Sequence, residues 1–86
     1  MAKPIPKPSD IILDLMNHFG LRQYQLASKL GCSTGMVNHL INNRYNITPR
    51  LAIELSRVFR GKISAKKLLT YQAHYQVNQE LNKRFK

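Results

Sequence analysis

Between Gln23 and Asn42 the chain reads QYQLASKLGCSTGMVNHLIN, and the spacing of its small and apolar residues leaves room for little except two short helices joined by a tight turn. Ala27 falls where two such helices would cross, so a larger side chain there would push them apart. Gly31 opens the turn, where a residue with φ > 0 is needed. Ser33 follows, and its hydroxyl can accept from the free N–H groups of the next helix. Val37, Leu40 and Ile41 recur at i, i+3, i+4 and form a buried stripe. Thr34, Gly35, Asn38, His39 and Asn42 are left on the outward face.

That outward face is short, polar and uncharged apart from the titratable His39. Asn offers adenine a two-pronged pairing, Thr offers a hydroxyl or a methyl, and His can donate to guanine, so the face suits base edges in a major groove. Gly35 presents no side chain; it allows the backbone itself to come close, at about 1 kcal/mol of helix stability. The charge agrees. The chain carries a formal +10, and no Asp or Glu stands between Asp14 and Glu54. A polyanion meets no carboxylate over the whole motif, which makes nucleic acid the leading partner. After the second helix, Asn43, Arg44 and Tyr45 make a polar, basic turn suited to the adjoining sugar–phosphate backbone. For Tyr45 a half-buried turn aromatic is an equal alternative.

Eighty-six residues make one domain with one small core. The rest of the chain extends the helical pattern. Met1 to Pro8 has three prolines and two lysines, which predicts an extended basic arm over residues 1–8 and no signal peptide. Ser9 is the expected cap of a first helix with Ile12, Leu15, Met16 and Phe19 on its core face, ended by Gly20. Thr48 and Pro49 start a fourth helix that buries Leu51, Ala52, Leu55 and Phe59 and ends at Gly61. Ser64 caps a fifth, the longest, because nothing after it breaks a helix. Leu68, Leu69 and Ala73 are expected to face the core, with Tyr71 and Tyr75 packing beside them. Residues 9–76 form the domain. Residues 77–86 are a distal extension, where Val77, Leu81 and Phe85 mark either a dimer or partner contact or a fraying tail. The fold class is all-α with five helices.

Other chemistry finds little support. Cys32 is the sole cysteine, so no internal disulfide forms; it reads as a small apolar filler in a protein of the reducing cytoplasm. No apolar run is long enough to span a membrane. The three histidines are dispersed without metal-ligand spacing, and the four carboxylates form no acid–base pair. No enzyme, cofactor or metal is expected. Arg57, Arg60, Lys62, Lys66 and Lys67 crowd the junction of the fourth and fifth helices, with a solvated face as the default.

Over Leu21 to Thr48, through Gln23, Ala27, Gly31, Ser33, Val37 and Leu40 in order, the chain resembles the helix-turn-helix family of phage repressors. The stretch NRYNITPRLAIELSRVF and the run LLTYQAHYQ, with its Leu-x-x-Gln-Ala-x-Tyr pattern, are similar more closely to the HigA-type antitoxins. Arg22 stands where the family usually has Ser or Thr, Gly35 replaces a side chain on the reading face, and RGKISAKKLL is as similar to small Cro-like regulators. The resemblance implies that Arg22 and Gln23 meet phosphates and that Thr34, Asn38 and His39 read bases, with Ser33 and Gly35 in the same interface. One recognition helix covers only a few base pairs, so a homodimer on double-stranded operator DNA is expected, and the resemblance further implies a RelE-like ribonuclease toxin as partner. A stand-alone Cro-like regulator, or an adaptor that has lost DNA binding, are the alternatives.

Overall fold

Proline and hydroxyl caps set most helix starts in this chain. The computed structural model describes residues 7–84 and shows five helices in order: α1 Pro8–Phe19, α2 Gln23–Leu30, α3 Thr34–Ile41, α4 Pro49–Val58 and α5 Ala65–Arg84. No strand occurs among the described residues. Ser33 Oγ accepts from Met36 N–H at 3.1 Å, Thr48 Oγ1 from Leu51 N–H at 3.1 Å and Ser64 Oγ from Lys67 N–H at 3.0 Å. Three of the starts are thus side-chain caps of the expected kind. The first is different. Helix α1 begins at Pro8 with Lys7 as the cap residue, and Ser9 lies inside the first turn, 4% exposed. Proline lacks an N–H and has its φ already set for a helix, so the first helical position suits it better than an arm. The expected arm otherwise falls on residues 1–6, outside the described part.

The first four helices stop in one way. A residue with left-handed φ follows each, and the next N–H reaches back five positions: Leu21 to Met16 O at 2.8 Å, Cys32 to Ala27 O at 3.0 Å, Arg44 to His39 O at 2.8 Å, Gly61 to Ser56 O at 2.9 Å. Gly20 and Gly31 supply the left-handed residue for α1 and α2, whereas Asn43 (φ 59°) does so for α3 and Arg60 (φ 53°) for α4. Helix α4 therefore ends at Val58, and the stop expected at Gly61 is taken one residue earlier by an arginine. Only glycine adopts that conformation without a steric cost, so tertiary packing has overridden local preference there.

The core is one cluster. Ile12 and Met16 of α1, Leu26 and Ala27 of α2, Val37 and Leu40 of α3, Ala52 and Leu55 of α4, Leu68 of α5, and Ile47, Phe59 and Ile63 from the connections are all buried. Phe19 stacks on Phe59 with ring centroids 5.9 Å apart. Helix α2 packs on α3 and α4, and α5 packs along α4 and touches α1.

Only the first half of α5 takes part. Leu68 is fully buried and Leu69, Tyr71, Gln72 and Tyr75 are half-buried, but Ala73, expected in the core, is exposed. At 100° per residue Ala73 lies about 140° around the helix from Leu68, while Tyr71, Gln72 and Tyr75 stay within reach of its face. From Gln76 to Lys83 every residue is exposed, Val77 and Leu81 included. Phe85 lies outside the described residues.

Candidate nucleic-acid interface

Helix α3 has eight residues, too few to persist alone in water, so its surroundings must hold it. They do so on three sides. Ser33 caps its start, and Val37 (0% exposed) and Leu40 (2%) seat it against α2 and α1. At its end Asn42 Nδ2 donates to Asn38 O at 2.8 Å. Asn42, expected on the outward face, is thereby spent on closing the helix.

The remaining outward side chains, Thr34, Asn38 and His39, are exposed, as is Gly35. A Cβ built on Gly35 would meet nothing nearer than Ser33 Oγ at 3.8 Å, ordinary contact, and its φ is unremarkable for an L residue. Nothing inside this chain therefore requires glycine at that position.

Helix α2 brings its start to the same face. Asn38 Nδ2 and Gln23 Oε1 are 3.5 Å apart, a long hydrogen bond joining residues fifteen positions apart in sequence. Arg22 N–H donates to Gln25 Oε1 at 2.8 Å. An arginine has no acceptor with which to return the bond, so only half of a reciprocal cap forms and the guanidinium stays in solvent. The predicted contacts Arg22, Gln23, Thr34, Gly35, Asn38 and His39 thus come from two elements packed on each other, with Ala27 of α2 buried at 3% exposure.

Beyond α3, residues 42–48 lead to α4. Asn43 is half-buried in its left-handed conformation and Arg44 is exposed. Tyr45 is 40% exposed at the rim of a shallow groove of about 370 Å³ that it shares with Leu30, Met36, Arg50 and Leu51. Sequence reasoning did not weigh Arg50, a cation in the first turn of α4 that lines that same groove together with the carboxylate Glu54. It also missed Gln72. This α5 side chain accepts from Ile47 N–H and donates through Nε2 to Ile47 O at 2.8 Å, gripping the connection by both backbone groups. The signal was present: Gln72 is one polar residue among Leu68, Tyr71 and Tyr75 on an apolar face.

The rest of the surface offers less. Cys32 is half-buried in the turn, and burial pushes its thiol above the usual range, so it stays protonated and poorly nucleophilic. Among the described residues no group of His, Cys, Asp and Glu could hold a metal ion, and no helix is long and apolar enough to cross a membrane. At the α4–α5 junction Arg57 approaches a carboxylate, Glu54, at 3.9 Å and in solvent, while Arg60, Lys62, Lys66 and Lys67 are exposed.

No curated protein matches the chain. Among the solved structures that share its fold are two seen with DNA. One is the Pseudomonas aeruginosa antitoxin HigA with higBA promoter, 23% identical, covering 93% of this chain and 86% of the other with a TM-score of 0.81. A second Pseudomonas aeruginosa protein, in complex with its 18 bp operator DNA, is 24% identical and covers 92% and 84% with a TM-score of 0.78. The helix-turn-helix family matches residues 12–65, which spans the core from Ile12 in α1 to the start of α5, with α2 and α3 at its centre. The chain belongs to the helix-turn-helix family.

Proposed function

We propose that this protein binds duplex DNA sequence-specifically through α3 and represses transcription. One observation carries the reading: an anchored helix presents Thr34, Asn38 and His39 outward, flanked by the cations Arg22 and Arg44, on a stretch of chain without a carboxylate. The fold it shares with two proteins solved with promoter or operator DNA supports it. In the resulting division of labour Thr34, Asn38 and His39 read base edges. Arg22, Gln23, Asn43, Arg44 and Tyr45 meet the phosphate backbone, Ser33 holds the helix start against it, and Gly35 lets the backbone approach the groove floor. A recognition helix covers few base pairs, so the working unit is a two-fold dimer with its two α3 helices about 34 Å apart on a palindromic operator.

The biological role we favour is a HigA-like antitoxin of the cytoplasm, which represses its own operon and silences a RelE-like ribonuclease toxin. Support comes from the likeness of 93% of the chain to the HigA fold and from the Leu-x-x-Gln-Ala-x-Tyr run. Copurification from the native operon tests the role: a co-eluting small toxin supports it, and its absence leaves a stand-alone Cro-like regulator.

Affinity measurements test the DNA reading itself. The logarithm of the binding constant should fall with the logarithm of salt by about 0.9 for each phosphate neutralised. Asn38→Ala should cost roughly 1–3 kcal/mol on the preferred duplex and little on random DNA. A flat salt titration would remove the DNA assignment, and equal losses on both duplexes would remove the reading role of Asn38.

A further inference from the structure

Ile47 is 4% exposed, yet it lies in a connection, outside any helix, so its buried N–H and C=O have no helical ladder to join. Gln72 supplies both partners from α5, twenty-five residues away, its carboxamide accepting from the N–H and donating to the carbonyl. Among side chains only Asn and Gln offer a fixed donor and acceptor side by side, and Gln alone has the reach of an added methylene. The other end of the connection is tied to α3, where Arg44 N–H donates to His39 O at 2.8 Å. Arg44, Tyr45 and Asn46 are therefore slung between two anchors, one on the reading helix and one on α5.

We infer that Gln72 is a positioning residue for DNA binding: by holding Ile47 it sets where Arg44 and Tyr45 stand, and so couples α5 to the phosphate-contacting turn. The inference rests on the proposed DNA reading. Gln72 does not touch DNA on this account and acts only through the turn. Its neighbours on α5 explain why the helix can serve as a support, since Leu68 is fully buried and Tyr71 packs against the core. The same turn of α5 exposes Ala73 and His74, so anything that shifts this helix also shifts the Ile47 anchor.

The test is a double-mutant cycle in the full-length protein, on a duplex of about 20 bp recovered from a random pool by the wild-type chain. Gln72→Met keeps length and helix preference while removing both hydrogen bonds. It should weaken binding about tenfold and reduce the salt slope by about one, as Arg44→Ala should. Because both act on one turn, the double variant should bind no more than about twofold more weakly than Arg44→Ala alone. A role in stability alone lowers the melting temperature, leaves the slope intact and makes the two losses multiply; that outcome overturns the proposal. If Gln72→Met fails to fold, Gln72→Glu replaces it. The carboxylate still accepts from Ile47 N–H but repels Ile47 O, and it should lower both affinity and slope; wild-type values would overturn the proposal. A wild-type chain that selects no duplex removes the DNA reading and this inference together, whereas wild-type binding with an indifferent Gln72 variant removes this inference only.

Discussion

Helix α3 and the distal turns of α5 are both exposed and mostly polar, yet they are held in opposite ways. Helix α3 is capped by Ser33, seated by Val37 and Leu40, and closed by Asn42 and Arg44 N–H, so its outward side chains stand on a rigid base. From Gln76 to Lys83, α5 has no buried residue, and its ion pair, Lys83 to Glu80 at 3.9 Å, lies in solvent where such pairs contribute little. The apolar content differs as well. The α3 face shows no large apolar side chain, whereas Val77 is 56% and Leu81 46% exposed, four residues apart on one side of α5. A rigid polar face suits a rigid patterned ligand such as duplex DNA. A loosely held helix with an uncovered apolar stripe suits another protein surface that would cover it.

The strongest way to break this comparison is at the crossing that seats α3. Ala27→Glu puts a carboxylate without a partner into a site 3% exposed and should cost about 4 kcal/mol, enough to unfold so small a domain. Thermal unfolding followed by circular dichroism gives the answer, and an unchanged melting temperature would mean that Ala27 does not hold α2 against α3.

Truncation after Gln76 probes the other region. The domain should stay folded, because residues 77–83 are all exposed, while dimerisation weakens and operator affinity falls on the order of a hundredfold through lost bivalency. Sedimentation of the shortened chain decides the matter. An undiminished dimer would free the stripe from self-association and leave it to a toxin contact or to nothing.

Gly35→Ala is the smallest change and the sharpest, because its two effects have opposite signs. The fold has room for the methyl, so helix stability should rise by about 0.5–1 kcal/mol. Operator binding should weaken, since the added Cβ points where the groove floor would lie. If melting temperature and affinity rise together, the backbone of α3 makes no close approach at that point.

The parts of the fold that were legible are those governed by local rules. The Ser33, Thr48 and Ser64 caps and the turn at Gly31 follow from residues a few positions apart. The misplaced parts each had a competitor at a distance or a second local rule. Ser9 yielded to Pro8 as the start of α1, and Arg60 displaced Gly61 once Phe59 was buried at the end of α4. Ala73 turned outward because α5 presents Leu68, Tyr71 and Gln72 to the core instead.

By itself the sequence determined the helical content, the order of the five helices and the polar, carboxylate-free character of the α3 face, because periodicity, capping and charge are properties of neighbouring residues. Only the tertiary structure decided that Gln23 meets Asn38, that Asn42 turns back to close α3, and that Gln72 holds Ile47 from the far end of the chain. Each of those joins residues whose proximity depends on how helices pack. Packing angles arise from the whole core at once, and no short stretch of sequence contains them.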